Sequence, residues 1–99
     1  MGERMMLYTK VCEDEQKKEY HLRYFLRIGS AECGTVYGAE IEKEEQGVTE
    51  REVQRGLSEQ REEIEQFLFR LWEGTAFPVE LAVLCDDFIT ERENGRTVC

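Results

Sequence analysis

The sequence predicts an α+β fold: an antiparallel meander of three or four strands followed by two C-terminal α-helices packed on one face of the sheet. Three observations carry this. The segments Met5–Cys12, Tyr20–Ile28 and Thr35–Lys43 alternate apolar and polar residues, the period of half-buried strands. Ile64, Phe67, Leu68 and Leu71 recur at helical spacing and form one apolar stripe. A second stripe, Leu81, Leu84, Cys85, Phe88 and Ile89, begins just after Pro78.

In the first strand, about residues 5–12, strict alternation places Met5, Leu7 and Val11 on one side. Met6, Tyr8, Lys10 and Cys12 fall on the other, outward side. The charged run from Glu13 to Lys18 holds no apolar residue and reads as a solvated hairpin connection. In the second strand, about 20–28, Tyr20, Leu22, Tyr24, Leu26 and Ile28 face the core, leaving His21, Arg23, Phe25 and Arg27 outside. Gly29 to Gly34 is a cluster of small residues and suits a turn. A third strand, about 35–43, then points Tyr37, Ala39 and Ile41 inward. Its Val36, Gly38, Glu40 and Glu42 lie beside the arginines of the second strand, where opposite charges pair across strands. The segment 50–57 reads as an edge strand in preference to a helix, with Val53 and Leu57 as its apolar residues.

Ser58 is placed to cap a first helix over about 59–73, and Glu59, Glu62 and Glu63 set negative charge against its N-terminal dipole. Gly74 suits a left-handed stop, and Pro78 suits the first turn of a second helix over about 78–90. The tail 91–99 has few anchors and reads as frayed. The 99 residues make one domain with one modest core.

Composition excludes several functions. With 22 Asp and Glu against 13 Lys and Arg, the net charge is −9, which repels nucleic-acid phosphates and anionic membranes. No apolar run is long enough to cross a bilayer and no secretion signal is read, so the expected setting is cytoplasmic. The four cysteines, Cys12, Cys33, Cys85 and Cys99, include no Cys-x-x-Cys pair. They are read as free thiols, with no metal site. No cofactor-binding fingerprint is present, since the glycines at 29, 34 and 38 fit neither a dinucleotide nor a phosphate-loop spacing. Asp86 and Asp87 are adjacent, so on a helix they diverge by about 100° and do not converge on one ion.

Two functional readings remain. The first rests on surplus aromatics: Phe69 lies about 140° and Trp72 about 80° around the helix from Ile64, making the apolar stripe too wide for one neighbour. Either the second helix or the tail covers that flank, or it is an interface for a homodimer or a protein partner. Tyr8, Phe25 and Val36 make a second outward patch on the open sheet face. This reading is a noncatalytic interaction or regulatory module. The alternative is a thiol-based enzyme or redox sensor, in which His21, the one histidine, activates Cys12 from a shared outer face. Nothing in the sequence supplies an oxyanion site or a third catalytic member. Small-ligand binding between sheet and helices is neither supported nor excluded.

The phrase Tyr37-Gly38-Ala39-Glu40-Ile41-Glu42-Lys43, together with Glu62 through Asp87-Phe88-Ile89 as helix, short turn, proline and final helix, resembles a family of small bacterial proteins. They come from spore-forming, clostridial-type Gram-positives and are known only as a domain of unknown function. The likeness covers Tyr20 to Ile89. Phe77 departs from it, because members often carry at that position a Thr that can cap the second helix. The resemblance implies this architecture and a bacterial cytosolic setting, and it brings no site residues.

Overall fold

The chain runs β1 (Glu3–Glu13), β2 (Glu19–Ala31), β3 (Gly34–Glu45), β4 (Val48–Ser58), α1 (Arg61–Glu73), a 3₁₀ turn (Pro78–Glu80) and α2 (Leu81–Thr97). The computed structural model describes residues 2–32 and 34–97, with 92–97 given by their backbone. Cys33 and Cys99 therefore lie outside the described residues.

The four strands form one open antiparallel sheet in the order β1-β2-β3-β4. Tight connections make this meander. Between β1 and β2 the Asp14 carboxylate accepts the amides of Gln16 at 2.8 Å and Lys18 at 2.9 Å, an Asx turn that holds Lys17 at φ +63°. Between β3 and β4 a two-residue turn places Gln46 at φ +51° and Gly47 at φ +82°, matching the twist of the flanking strands.

The face of β2 carrying Leu22, Tyr24 and Leu26 is fully buried, together with Ala39 and Ile41 of β3. Both helices lie over it. Ile64, Phe67, Leu68 and Leu71 of α1 and Leu81, Cys85 and Phe88 of α2 complete the core. Tyr24 brings a polar atom into it, and its hydroxyl donates to the Ala76 carbonyl at 2.9 Å. Burial foremost raises its phenol above the ordinary range.

Five local features differ from the sequence reading. In β1 the register steps from Met6 opposite Phe25 to Tyr8 opposite Tyr24. Leu7 is therefore the extra residue of a bulge, and an extra residue inverts every later side chain. Tyr8, Lys10 and Cys12 consequently face the helices, while Val11 points outward and is 59 % exposed. β2 continues through Gly29 and Ser30 to Ala31, so Gly29 is a strand residue rather than part of the turn. Ser58 ends β4 instead of capping α1 directly; its hydroxyl accepts the Gln60 amide at 2.9 Å and donates to the Glu63 carboxylate at 2.6 Å.

The left-handed stop after α1 falls on Thr75, at φ +54°, because the Gly74 amide still reaches the Arg70 carbonyl at 3.0 Å in a right-handed conformation with φ −83°. Before α2, Phe77 and Glu80 cap the turn by a reciprocal exchange. The Glu80 amide donates to the Phe77 carbonyl and the Glu80 carboxylate accepts the Phe77 amide, both at 3.0 Å. The backbone of α2 continues to Thr97, past residue 90, since Glu91 to Asn94 contains good helix formers and no proline.

Candidate interaction site

Once the Leu7 bulge turns Tyr8 inward, the aromatic surplus of α1 meets β1. Tyr8 stacks on Trp72 with ring centroids 5.4 Å apart, and the Trp72 indole N–H donates to the Thr9 carbonyl at 3.0 Å. The ammonium of Lys10 lies 5.1 Å from the Trp72 ring centroid. It donates to the Trp72 carbonyl and, at 3.0 Å, to the Thr75 hydroxyl. Trp72 is thus fastened by its ring, its indole and its backbone. β1 therefore covers the Trp72 side of this flank.

Phe69 is held differently. It sits 6.0 Å from Tyr8 and 5.7 Å from Trp72, centroid to centroid, yet remains 41 % exposed. Beside it lies a hollow of about 610 Å³ with Glu62, Glu65 and Glu73 among its walls. Glu65 pairs with Arg61 at 3.0 Å. Arg70, the cation on this rim, has its guanidinium 3.8 Å from Glu91. The result is one exposed ring on an aromatic platform, bordered by carboxylates. Chemically it suits a cation carried on an apolar stem.

The opposite sheet face is not the solvated surface that alternation suggests. Glu40 is 0 % and Glu42 5 % exposed, and arginines from β1, β2 and β4 shield them. Arg4 contacts Glu40 at 2.7 Å and Glu42 at 2.6 Å, and Arg27 contacts Glu40 at 2.9 Å. Arg51 lies 3.5 Å from Glu40 and 3.2 Å from Glu42, while Arg23 pairs with Glu44 and stands 3.7 Å from Glu42. Burial pushes the Glu42 carboxyl upward, but the hydrogen bond from Arg4, assisted by Glu40 and the charges of Arg4 and Arg51, holds it below the usual range. Glu44 is lowered by its hydrogen bond from Arg23. In turn, the hydrogen bond to Glu42 is the foremost cause raising the Arg4 guanidinium.

The sequence-derived site residues separate accordingly. Cys12 pairs with Tyr20 on the inner face, whereas His21 is opposite Val11 on the outer one. The Leu7 bulge therefore keeps the proposed thiol and its base on opposite sides of the sheet. Cys85 is buried, and burial, with the charge of Asp86, pushes its thiol up to about 12, away from reactivity. The outward patch of Tyr8, Phe25 and Val36 does not form, because Tyr8 belongs to the helix side. Phe25 is on the outer face but only 7 % exposed, lying under the Arg4 guanidinium at 4.2 Å. Val36 is half-buried there.

Among the described residues no group of His, Cys, Asp and Glu is arranged to hold a metal ion, and no helix is long and apolar enough to cross a membrane. Between α1 and α2 a depression of about 290 Å³ is lined by Leu71, Leu84 and Phe88 among others.

Fold and surfaces together define a class: an α+β protein built on a four-stranded meander, with helices on one face and an arginine–glutamate ladder on the other. The chain belongs to DUF6514, a family of unknown function whose model matches residues 3–91. No curated protein and no solved structure matches it.

Proposed function

We propose that this protein is a small noncatalytic binding module of the bacterial cytoplasm that docks a lysine- or arginine-rich segment of another protein at Phe69. One observation carries the reading. Phe69 is an exposed aromatic supported from below by Tyr8 and Trp72 and bordered by Glu62, Glu65 and Glu73. An aromatic beside carboxylates attracts a cation twice, through the ring quadrupole and through charge. A second copy fits poorly as occupant, since a two-fold contact would set these glutamates against their own counterparts, in a chain of net charge −9. The bacterial setting follows the family resemblance.

The test titrates the intrinsic fluorescence of Trp72 with a lysine-rich peptide. Saturable binding, weakened by salt and at least about tenfold by Phe69→Ala, is expected. Trp72→Ala is a poor probe, because that ring secures α1 to β1. Equal binding by Phe69→Ala, or a dimer in light scattering that Phe69→Ala dissolves, would overturn the basic-segment reading.

A further inference from the structure

At the end of the outer sheet face, away from the Phe69 hollow, a cavity of about 400 Å³ opens between β2, β3, β4 and Gly2, just before β1. We infer that this cavity binds a small organic oxyanion, a phosphate monoester or a carboxylate, between the guanidinium groups of Arg27 and Arg55, over a floor made by Gly29 and Gly38.

The floor is built by two glycines that are there for different reasons. Gly38 is required by the fold. β4 bulges opposite it, with Tyr37 facing Ser58 and Ala39 facing Gln54, and a Cβ on Gly38 would lie 2.1 Å from the Gln54 carbonyl oxygen. Gly29 has no such cause. It lies within β2, its φ is not left-handed, and the nearest atom to an added Cβ is Val36 Cγ2, at 3.9 Å. A glycine inside a strand costs stability for want of a side chain. What the missing side chain does provide is open space on the cavity floor. Val36 adds an apolar wall, which suits the body of an organic molecule, and the volume lies in the range of small-molecule sites.

The charge has a direction too. Around the ladder stand Arg4, Arg23, Arg27 and Arg51 against Glu40, Glu42 and Glu44, so cations outnumber carboxylates here, the reverse of the whole chain. Arg27 gives Nη1 to Glu40 at 2.9 Å. Its Nη2 is directed elsewhere, toward Gly2, where an added Cβ would stand 3.5 Å from it. Arg55 lines the same cavity and forms no ion pair among the described residues. The acidic remainder of the molecule is screened over about 8–10 Å at physiological salt, so the two arginines that line the cavity govern an ion seated in it.

The experiment titrates the full chain, followed by amide NMR, with phenyl phosphate, benzoate and inorganic phosphate up to about 20 mM. Saturable shifts at Gly29, Val36 and Gly38 with phenyl phosphate or benzoate are expected, and which of the two binds more tightly identifies the anion. Inorganic phosphate should bind more weakly than phenyl phosphate, lacking an apolar body for Val36. Gly29→Val should abolish binding while leaving the melting temperature unchanged or higher. Arg55→Ala, an exposed change that does not burden folding, should weaken binding about tenfold. Phe69→Ala should leave it untouched, which separates this site from the docking surface. Shifts that do not saturate, or binding by Gly29→Val or Arg55→Ala as tight as in the parent chain, would refute the inference.

Discussion

The two faces of this sheet are buried by different means. On the inner face, Leu22, Tyr24 and Leu26 lose all solvent because two helices are laid over them. On the outer face, Glu40 is as inaccessible as Leu22, yet among the described residues no helix or strand lies above it. Its cover is the side chains of Arg4, Arg27 and Arg51. Burial by backbone elements excludes water through apolar packing. Burial by arginine stems leaves each guanidinium partly wet, with Arg4 41 %, Arg27 17 % and Arg51 56 % exposed at the side chain. The faces should therefore respond very differently to the same degree of damage.

The largest response is expected inside. Leu26→Ala removes a fully buried side chain between sheet and helices, and both lost transfer energy and residual cavity count against it, about 3 kcal/mol together. Urea denaturation should show this as a lower midpoint with an unchanged slope. A loss below about 1 kcal/mol would mean that the helices close over the gap, and that the inner face is looser than its burial suggests.

Glu40→Gln tests the outer face. Removing one member of a buried ion pair is severe when the other is left charged and dry. Here Arg4 and Arg51 can turn toward water, so a smaller cost of about 1.5 kcal/mol is expected. Raising salt should narrow the gap between Glu40→Gln and the parent chain. A cost equal to that of Leu26→Ala would show that the arginine cover seals the face as tightly as the helices seal theirs.

The inner face could be read in the sequence and the outer face only in outline, for physical reasons visible in single residues. Tyr20 to Ile28 alternates without interruption, and both its inward set and the pairing of its arginines with Glu40 and Glu42 follow from a period of two. β1 defeats the same rule because the Leu7 bulge carries no glycine or proline to announce it. One unmarked residue moved Tyr8 and Cys12 across the sheet, ended the Cys12–His21 pairing and supplied Trp72 with its cover. The overwide stripe of α1 was legible, and so was the need for something to cover it. That the cover is Tyr8 was not. The burial of Glu40 was also hidden, since its arginines come from three strands far apart in sequence. Gly29, which resembles any turn glycine beside Ser30 and Ala31, is recognised as a strand residue only once β2 is seen to run past it.

The smallest effect distinguishes the faces by protons alone. Glu42 is lowered in the folded protein, burial being outweighed by its hydrogen bond from Arg4 and the neighbouring charges. The unfolded chain, with an ordinary glutamate, therefore binds its proton first as pH falls. The stabilisation from Glu42 is fully present above the unfolded carboxyl range, from about pH 5 upward, and is lost as pH drops through the folded value below it. Leu26 has no proton to gain. The urea midpoint of the parent chain should thus exceed that of Glu42→Gln at pH 7, with the difference shrinking steadily toward pH 3, whereas the difference between the parent and Leu26→Ala should stay level across the same range. Parallel curves for both variants would place the outer ladder among surface ion pairs that contribute nothing measurable, and the contrast between the two faces would reduce to packing.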